Sequence, residues 1–190
     1  EAPPAGRACY LSPRMRLGSY APPFVALTLA TAALGLGCAS RFDGQTYRGD
    51  GFSFRVAEVP SSWQPVKNSE RALAWEDRAL GATILANGRC DRDGEDVPLR
   101  SLTQHLFIQF SERELHSEEV LPFDGREALR TDLTAKLDGV ALRFAVWVLK
   151  KDRCVYDLLY FAPPARFEQG VAGFDAWARG FSALPREAAP

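Results

Sequence analysis

Asp124-Gly125 and Asp138-Gly139 each interrupt an apolar run. That dipeptide supplies the positive φ angles of a tight two-residue hairpin, so it commits its flanks to neighbouring antiparallel strands. Between the two turns, Leu129, Thr131, Leu133, Ala135 and Leu137 alternate with other residues. Beyond the second turn Val140, Leu142, Phe144, Val146 and Val148 alternate in the same way. The opposite set, Ala141, Ala145, Trp147 and Leu149, is apolar too. A strand that is apolar on both sides has to be covered on both sides. A further strand is expected over 154–161, stopping at Pro163-Pro164.

The rest of the chain supplies the cover. Residues 51–56 alternate as a strand, and Pro60-Ser61-Ser62-Trp63 breaks it, with Trp63 folding back on the core. Residues 73–75 and 81–86 read as two short strands, and 91–96 as a polar turn. Pro98 suits a first helical turn, and Leu99, Leu102, Leu106 and Phe110 repeat at helical spacing behind it. Phe167, Val171, Phe174, Trp177 and Ala178 mark a last amphipathic helix, followed by Gly180-Phe181-Ser182-Ala183-Leu184. Strands, helix, antiparallel strands and helix make an α+β plan. We expect an α/β/α sandwich, with a central twisted antiparallel sheet flanked by helices.

The N-terminal region reads as an address. Met15, the single methionine, is the expected start, which makes residues 1–14 an upstream extension. Arg16 gives a basic n-region, residues 24–36 an apolar stretch of secretory length, and small residues lead to Cys38. The stretch is shorter than the ~20 apolar residues of a spanning helix. Gly37-Cys38 resembles the end of a bacterial lipobox, although Gly35 stands where leucine is preferred. The resemblance implies cleavage of a signal peptide over 15–37 and acylation of Cys38. Ala39 behind the cysteine then implies the outer membrane, facing the periplasm. Residues 38–46 read as a polar tether and 185–190 as a frayed tail.

Cys90 and Cys154 remain for the folded part. In an oxidising compartment such a pair bridges. Their 64-residue separation makes the bridge worth roughly 4 kcal/mol in the chain-entropy model. A redox-active pair favours Cys-x-x-Cys spacing, which these two lack.

Tyr47, Gly51-Phe52-Ser53-Phe54-Arg55-Val56 and Pro60-Ser61-Ser62-Trp63 resemble the opening of PsbP-like domains. Phe174 to Phe181-Ser182 resembles that family's final helix and end, with Phe-Ser in place of Ser-Phe. The resemblance covers roughly residues 47–184. It implies an α/β/α sandwich with a non-enzymatic accessory or binding role, and the bacterial envelope lipoprotein branch fits the address best. It carries over no catalytic residue.

The chemistry-bearing residues are weak signals. Formal net charge is −1, so no basic excess points to nucleic acid. His105 and His116 lie eleven residues apart across an expected helix–strand boundary, which does not suit a metal site, and His105 reads as a polar helix-face residue. Asp91, Asp93, Glu95 and Asp96 are acidic, but Gly94 and the spacing do not fit a calcium loop. Glu76, Asp77, Glu118 and Glu119 could pair for acid–base work only if the fold gathered them. Lys150-Lys151-Asp152-Arg153 could touch anionic headgroups as a hairpin tip. Trp63, Trp75, Trp147, Trp177, Tyr156 and Tyr160 have core-like spacing, and a few could line a pocket at one end of the sheet. The reading that emerges is a lipid-anchored envelope protein without catalytic residues, cofactor or metal, which binds a protein partner. A small-ligand carrier using a sheet-end pocket is the second reading. A hydrolase with dispersed residues is the third.

Overall fold

The structure, a computed structural model, describes residues 42–49, 51–66, 72–91 and 96–185. Residues 15–37, expected as a signal peptide, lie outside the described residues, as do Cys38, Asp93, Glu95 and residues 186–190 of the tail.

Seven strands form the main sheet, and every pairing in it is antiparallel. In chain order they are β3 (Gln64–Pro65), β4 (Ala72–Asp77), β5 (Ala82–Cys90), β6 (Ser111–Phe123), β7 (Arg126–Leu137), β8 (Val140–Lys151) and β9 (Cys154–Ala162). Their spatial order is β3-β4-β5-β9-β8-β7-β6. A second sheet joins β1 (Thr46–Arg48), β2 (Ser53–Arg55) and β10 (Ser182–Leu184) in the order β1-β2-β10. Helix α1 is Leu99–Leu106 and helix α2 is Phe167–Arg179. The α+β plan therefore holds.

Both Asp-Gly turns close hairpins with two positive φ angles, 47° and 74° at Asp124-Gly125 and 50° and 82° at Asp138-Gly139. The β8–β9 turn does the same at Asp152-Arg153, with φ of 52° and 62° and no glycine to announce it.

Alternation along β8 and β9 divides the core in two. Ala145, Trp147, Leu149, Tyr156, Leu158 and Tyr160 join one cluster with Phe167, Phe174, Trp177 and Ala178 of α2. Phe144, Val146, Val148 and Val155 join the other with Leu102 of α1. The helices thus sit on opposite faces of the sheet. On the α2 face the small sheet completes the layer, since Tyr47, Phe52, Phe54 and Ala183 belong to the same cluster. The expected helix-only layer is corrected here to helix plus sheet. Gly88 on β5 makes that seating possible, because a Cβ there would stand 2.6 Å from the Phe52 ring. On the other face α1, with eight residues, packs on β7 and β8 and covers only part of the surface.

Two boundaries shift. The distal part of the expected tether is folded. Phe42 meets the Trp75 ring edge-on at 5.8 Å, and the Asp43 carboxylate accepts the Gln45 and Thr46 amides at 3.1 and 2.7 Å. The Thr46 amide comes first, the Arg48 guanidinium second and the Gln45 amide third in holding the Asp43 carboxyl down at about 2. Helix α1 stops at Leu106, so Phe110 is not on its stripe. Phe107, at 3% exposure, is the buried aromatic there, and Phe110 packs edge-on against it at 5.3 Å.

Candidate functional site

The under-covered face is where the structure leaves room. Two clefts flank α1, and Phe107 lines both. The first, of about 330 Å³, lies between α1 and the β6–β7 hairpin. Phe107, Leu115 and Leu133 form its apolar walls, with Thr131, Arg113 and Glu118 among its polar lining. Register explains the grouping: Leu115 is opposite Leu133, and Glu118 is opposite Thr131. Two irregularities interrupt β6, between Ser111 and Glu114 and between Leu115 and Ser117, and Glu112 sits at φ 46°. Bulges of this kind re-aim side chains. Arg113 falls inside the first of them.

The polar groups of this cleft differ in how they are engaged. Glu118 is paired with Arg100 of α1 and its side chain is 11% exposed. The Thr103 hydroxyl donates to the Leu99 carbonyl at 3.0 Å, a bond within α1. Among the described residues, Arg113 has no ion-pair partner. Thr131 is 2% exposed and its hydroxyl has no hydrogen-bond partner among the described residues. A buried hydroxyl left so costs about 1–3 kcal/mol.

The second cleft, of about 230 Å³, lies on the other side of α1, lined by Leu85, Leu106, Phe110, Leu142, Leu159 and Phe161. Asp157, 1% exposed, also lines it and accepts from the Arg89 guanidinium at 2.5 Å.

The expected site residues fall in other places. Cys90 and Cys154 are opposite one another on β5 and β9 and form a disulfide. The six aromatics considered for a sheet-end pocket are all buried in the α2-face core and line neither cleft. Glu76 and Asp77 are on β4 and Glu118 and Glu119 on β6, with four strands between. At ~4.8 Å per strand the two pairs stand roughly 24 Å apart and cannot share a proton. His116 shares a hydrogen bond of 2.7 Å with the Thr134 hydroxyl, while His105 is exposed on α1. Among the described residues no cluster of histidine, cysteine and acids could hold a metal ion. The basic hairpin tip is engaged internally: Lys150 donates to the Val97 carbonyl, Lys151 binds Asp124, and Arg153 pairs with Asp91. Among the described residues no helix is long and apolar enough to cross a membrane.

Sequence reasoning missed this cleft. Thr131 was visible as the single hydroxyl in the apolar row of β7, and that was the one available signal.

No family model matches the sequence, and no curated protein matches it. Solved structures do share the fold. LpqN of Mycobacterium tuberculosis, described as involved in cell envelope biogenesis, aligns at 14% identity over 74% of this chain and 91% of its own, with a TM-score of 0.51. A protein from Bacteroides thetaiotaomicron VPI-5482 aligns at 12% identity over 78% of this chain, with a TM-score of 0.51, and this chain spans 52% of it. Cyanobacterial PsbP (CyanoP) from Synechocystis sp. PCC 6803 aligns at 13% identity over 77% of this chain and 97% of its own, with a TM-score of 0.49.

Proposed function

We propose that this chain is a non-catalytic accessory protein of the bacterial envelope, related to the PsbP-like lipoproteins. Lipid on Cys38 holds it at the outer membrane facing the periplasm, and it binds a protein partner along β6. The Cys90–Cys154 bridge supports export, because such bonds persist in oxidising compartments. The involvement of LpqN in cell envelope biogenesis agrees with that address.

The observation that carries the partner reading is β6 itself. It is a 13-residue strand at the edge of the sheet, and Leu115 and Val120 on it are 60% and 54% exposed. The opposite edge, β3, has two residues and ends in Pro65, the way an edge is closed to pairing. Ile108, 70% exposed, adds apolar surface just after α1. Glu114 and Glu119 on β6 favour a partner with basic residues.

The test is crosslinking of the acylated chain in its native envelope, read by mass spectrometry. One stoichiometric partner is expected, lost in Val120→Glu. A partner recovered equally with that variant, or none at all, sinks the docking surface. Cys38→Ser should release the chain from membranes, and firm retention of that variant would remove the anchor.

A further inference from the structure

The larger cleft beside α1 has the features of a ligand site rather than a packing fault. Its walls are apolar, and its volume of about 330 Å³ is at the lower end of ligand pockets, ~300–1,000 Å³. Two of its polar groups face no protein partner among the described residues: the Arg113 guanidinium and the buried Thr131 hydroxyl. The one carboxylate in the lining, Glu118, is already neutralised by Arg100. The charge left to a ligand is therefore positive, and one hydroxyl is left to bond with it. We propose that this cleft binds a free medium-chain monocarboxylate. Its apolar tail packs on Phe107, Leu115 and Leu133, its carboxylate is held by Arg113, and the Thr131 hydroxyl gives a hydrogen bond. Leu115 and Arg113 belong to β6 and border the partner surface as well, whereas Thr131 is buried and answers to the ligand alone.

Titration of the full chain with decanoate, followed by calorimetry and by amide chemical shifts, tests it. Saturable binding is expected, with shifts at Thr103, Phe107, Thr131 and Leu133. Decanol, which lacks the charge, should bind at least about tenfold more weakly. Arg113→Gln should weaken decanoate about tenfold or more, and Thr131→Val about threefold to tenfold. Thr131→Val should fold with wild-type stability or better, since it removes an unsatisfied buried hydroxyl, so its loss of affinity reports the ligand alone. No binding would overturn the proposal. So would decanoate affinity unchanged in both variants, shifts confined to Leu85, Leu142 and Phe161 in the neighbouring cleft, or binding only to phosphatidylglycerol vesicles. Val120→Glu should leave decanoate affinity unchanged, which separates failure of this site from failure of the partner surface.

Discussion

The two faces of the main sheet are built to different standards. On the α2 face, Phe167, Phe174 and Trp177 meet Tyr160, Trp75 and one another at ring separations of 5.3–6.0 Å. Two arginines then staple the helix down. Arg143 holds Asp132 with two bonds of 3.0 Å, reaches Glu168 at 2.8 Å and lies 4.3 Å over the Phe167 ring. Its hydrogen bonds to Asp132 push its pKa further up. Arg130 holds Asp175 at 2.9 and 3.2 Å, and the Trp147 indole donates to the same carboxylate at 2.8 Å. The α1 face has a two-turn helix, a smaller cluster and a cleft on each side. A helix of eight residues is too short to be stable alone and depends on its packing. The difference teaches where stability and binding are separated. Aromatic burial and paired charge tie α2 down on one face, and the other face is left with two clefts and a buried hydroxyl without a partner among the described residues.

The largest expected break in this contrast is a pair of truncations. Phe174→Ala should cost about 4–5 kcal/mol, and Leu102→Ala on the α1 face only about 2–3 kcal/mol, because the neighbouring clefts let that site relax. Urea denaturation of both variants measures this, and equal losses would erase the distinction. Next comes the disulfide, whose Cys154 belongs to the α2-face cluster. Reduction, or Cys90→Ser with Cys154→Ser, should cost about 2–4 kcal/mol in the same assay.

A smaller effect is expected from Asp175→Asn. It weakens the bidentate pairing with Arg130 but keeps an acceptor for Trp147, and should cost about 1–2 kcal/mol. Proteolysis or hydrogen exchange should then report loosening at α2. The smallest effect is a pH dependence. Burial first, then the charges of Asp77 and Glu168, push the Tyr160 hydroxyl up to about 12. The unfolded chain ionises this group near pH 10, while the folded chain keeps the proton. Tyr160 therefore contributes stability that is complete below about pH 10 and is lost as pH rises toward 12. Denaturation midpoints at pH 8 and pH 11 should converge in Tyr160→Phe relative to wild type. An unchanged pH slope in that variant would assign it to other groups.

Much of the architecture was legible because it is written in local rules. Asp124-Gly125 and Asp138-Gly139 need only their own backbone preferences to make turns, and the double-sided apolar pattern of β8 needs only the period of a strand. Cys90 and Cys154 were paired by elimination and compartment, and the register of β5 on β9 places them face to face. The turn at Asp152-Arg153 was harder, since neither residue prefers positive φ as glycine does and the strands on either side impose it. The small sheet was legible only in part. Residues 53–55 read as a strand, but nothing local says that they pair with 182–184, more than a hundred positions away.

The candidate site was the least legible. Arg113 is an ordinary charge in a polar stretch until a bulge in β6 aims it at the cleft. Thr131 is one member of an alternating row until the shortness of α1 decides that its hydroxyl finds no neighbour. By itself the sequence determined the strand meander, the helices and the covalent bridge, because each depends on residues near in the chain or on a residue type with a single use. Tertiary structure alone decided which face of the sheet would be fully covered and which would keep a cleft. That outcome depends on where elements distant in sequence come to rest, and a pocket is a property of the gap between them rather than of any one segment.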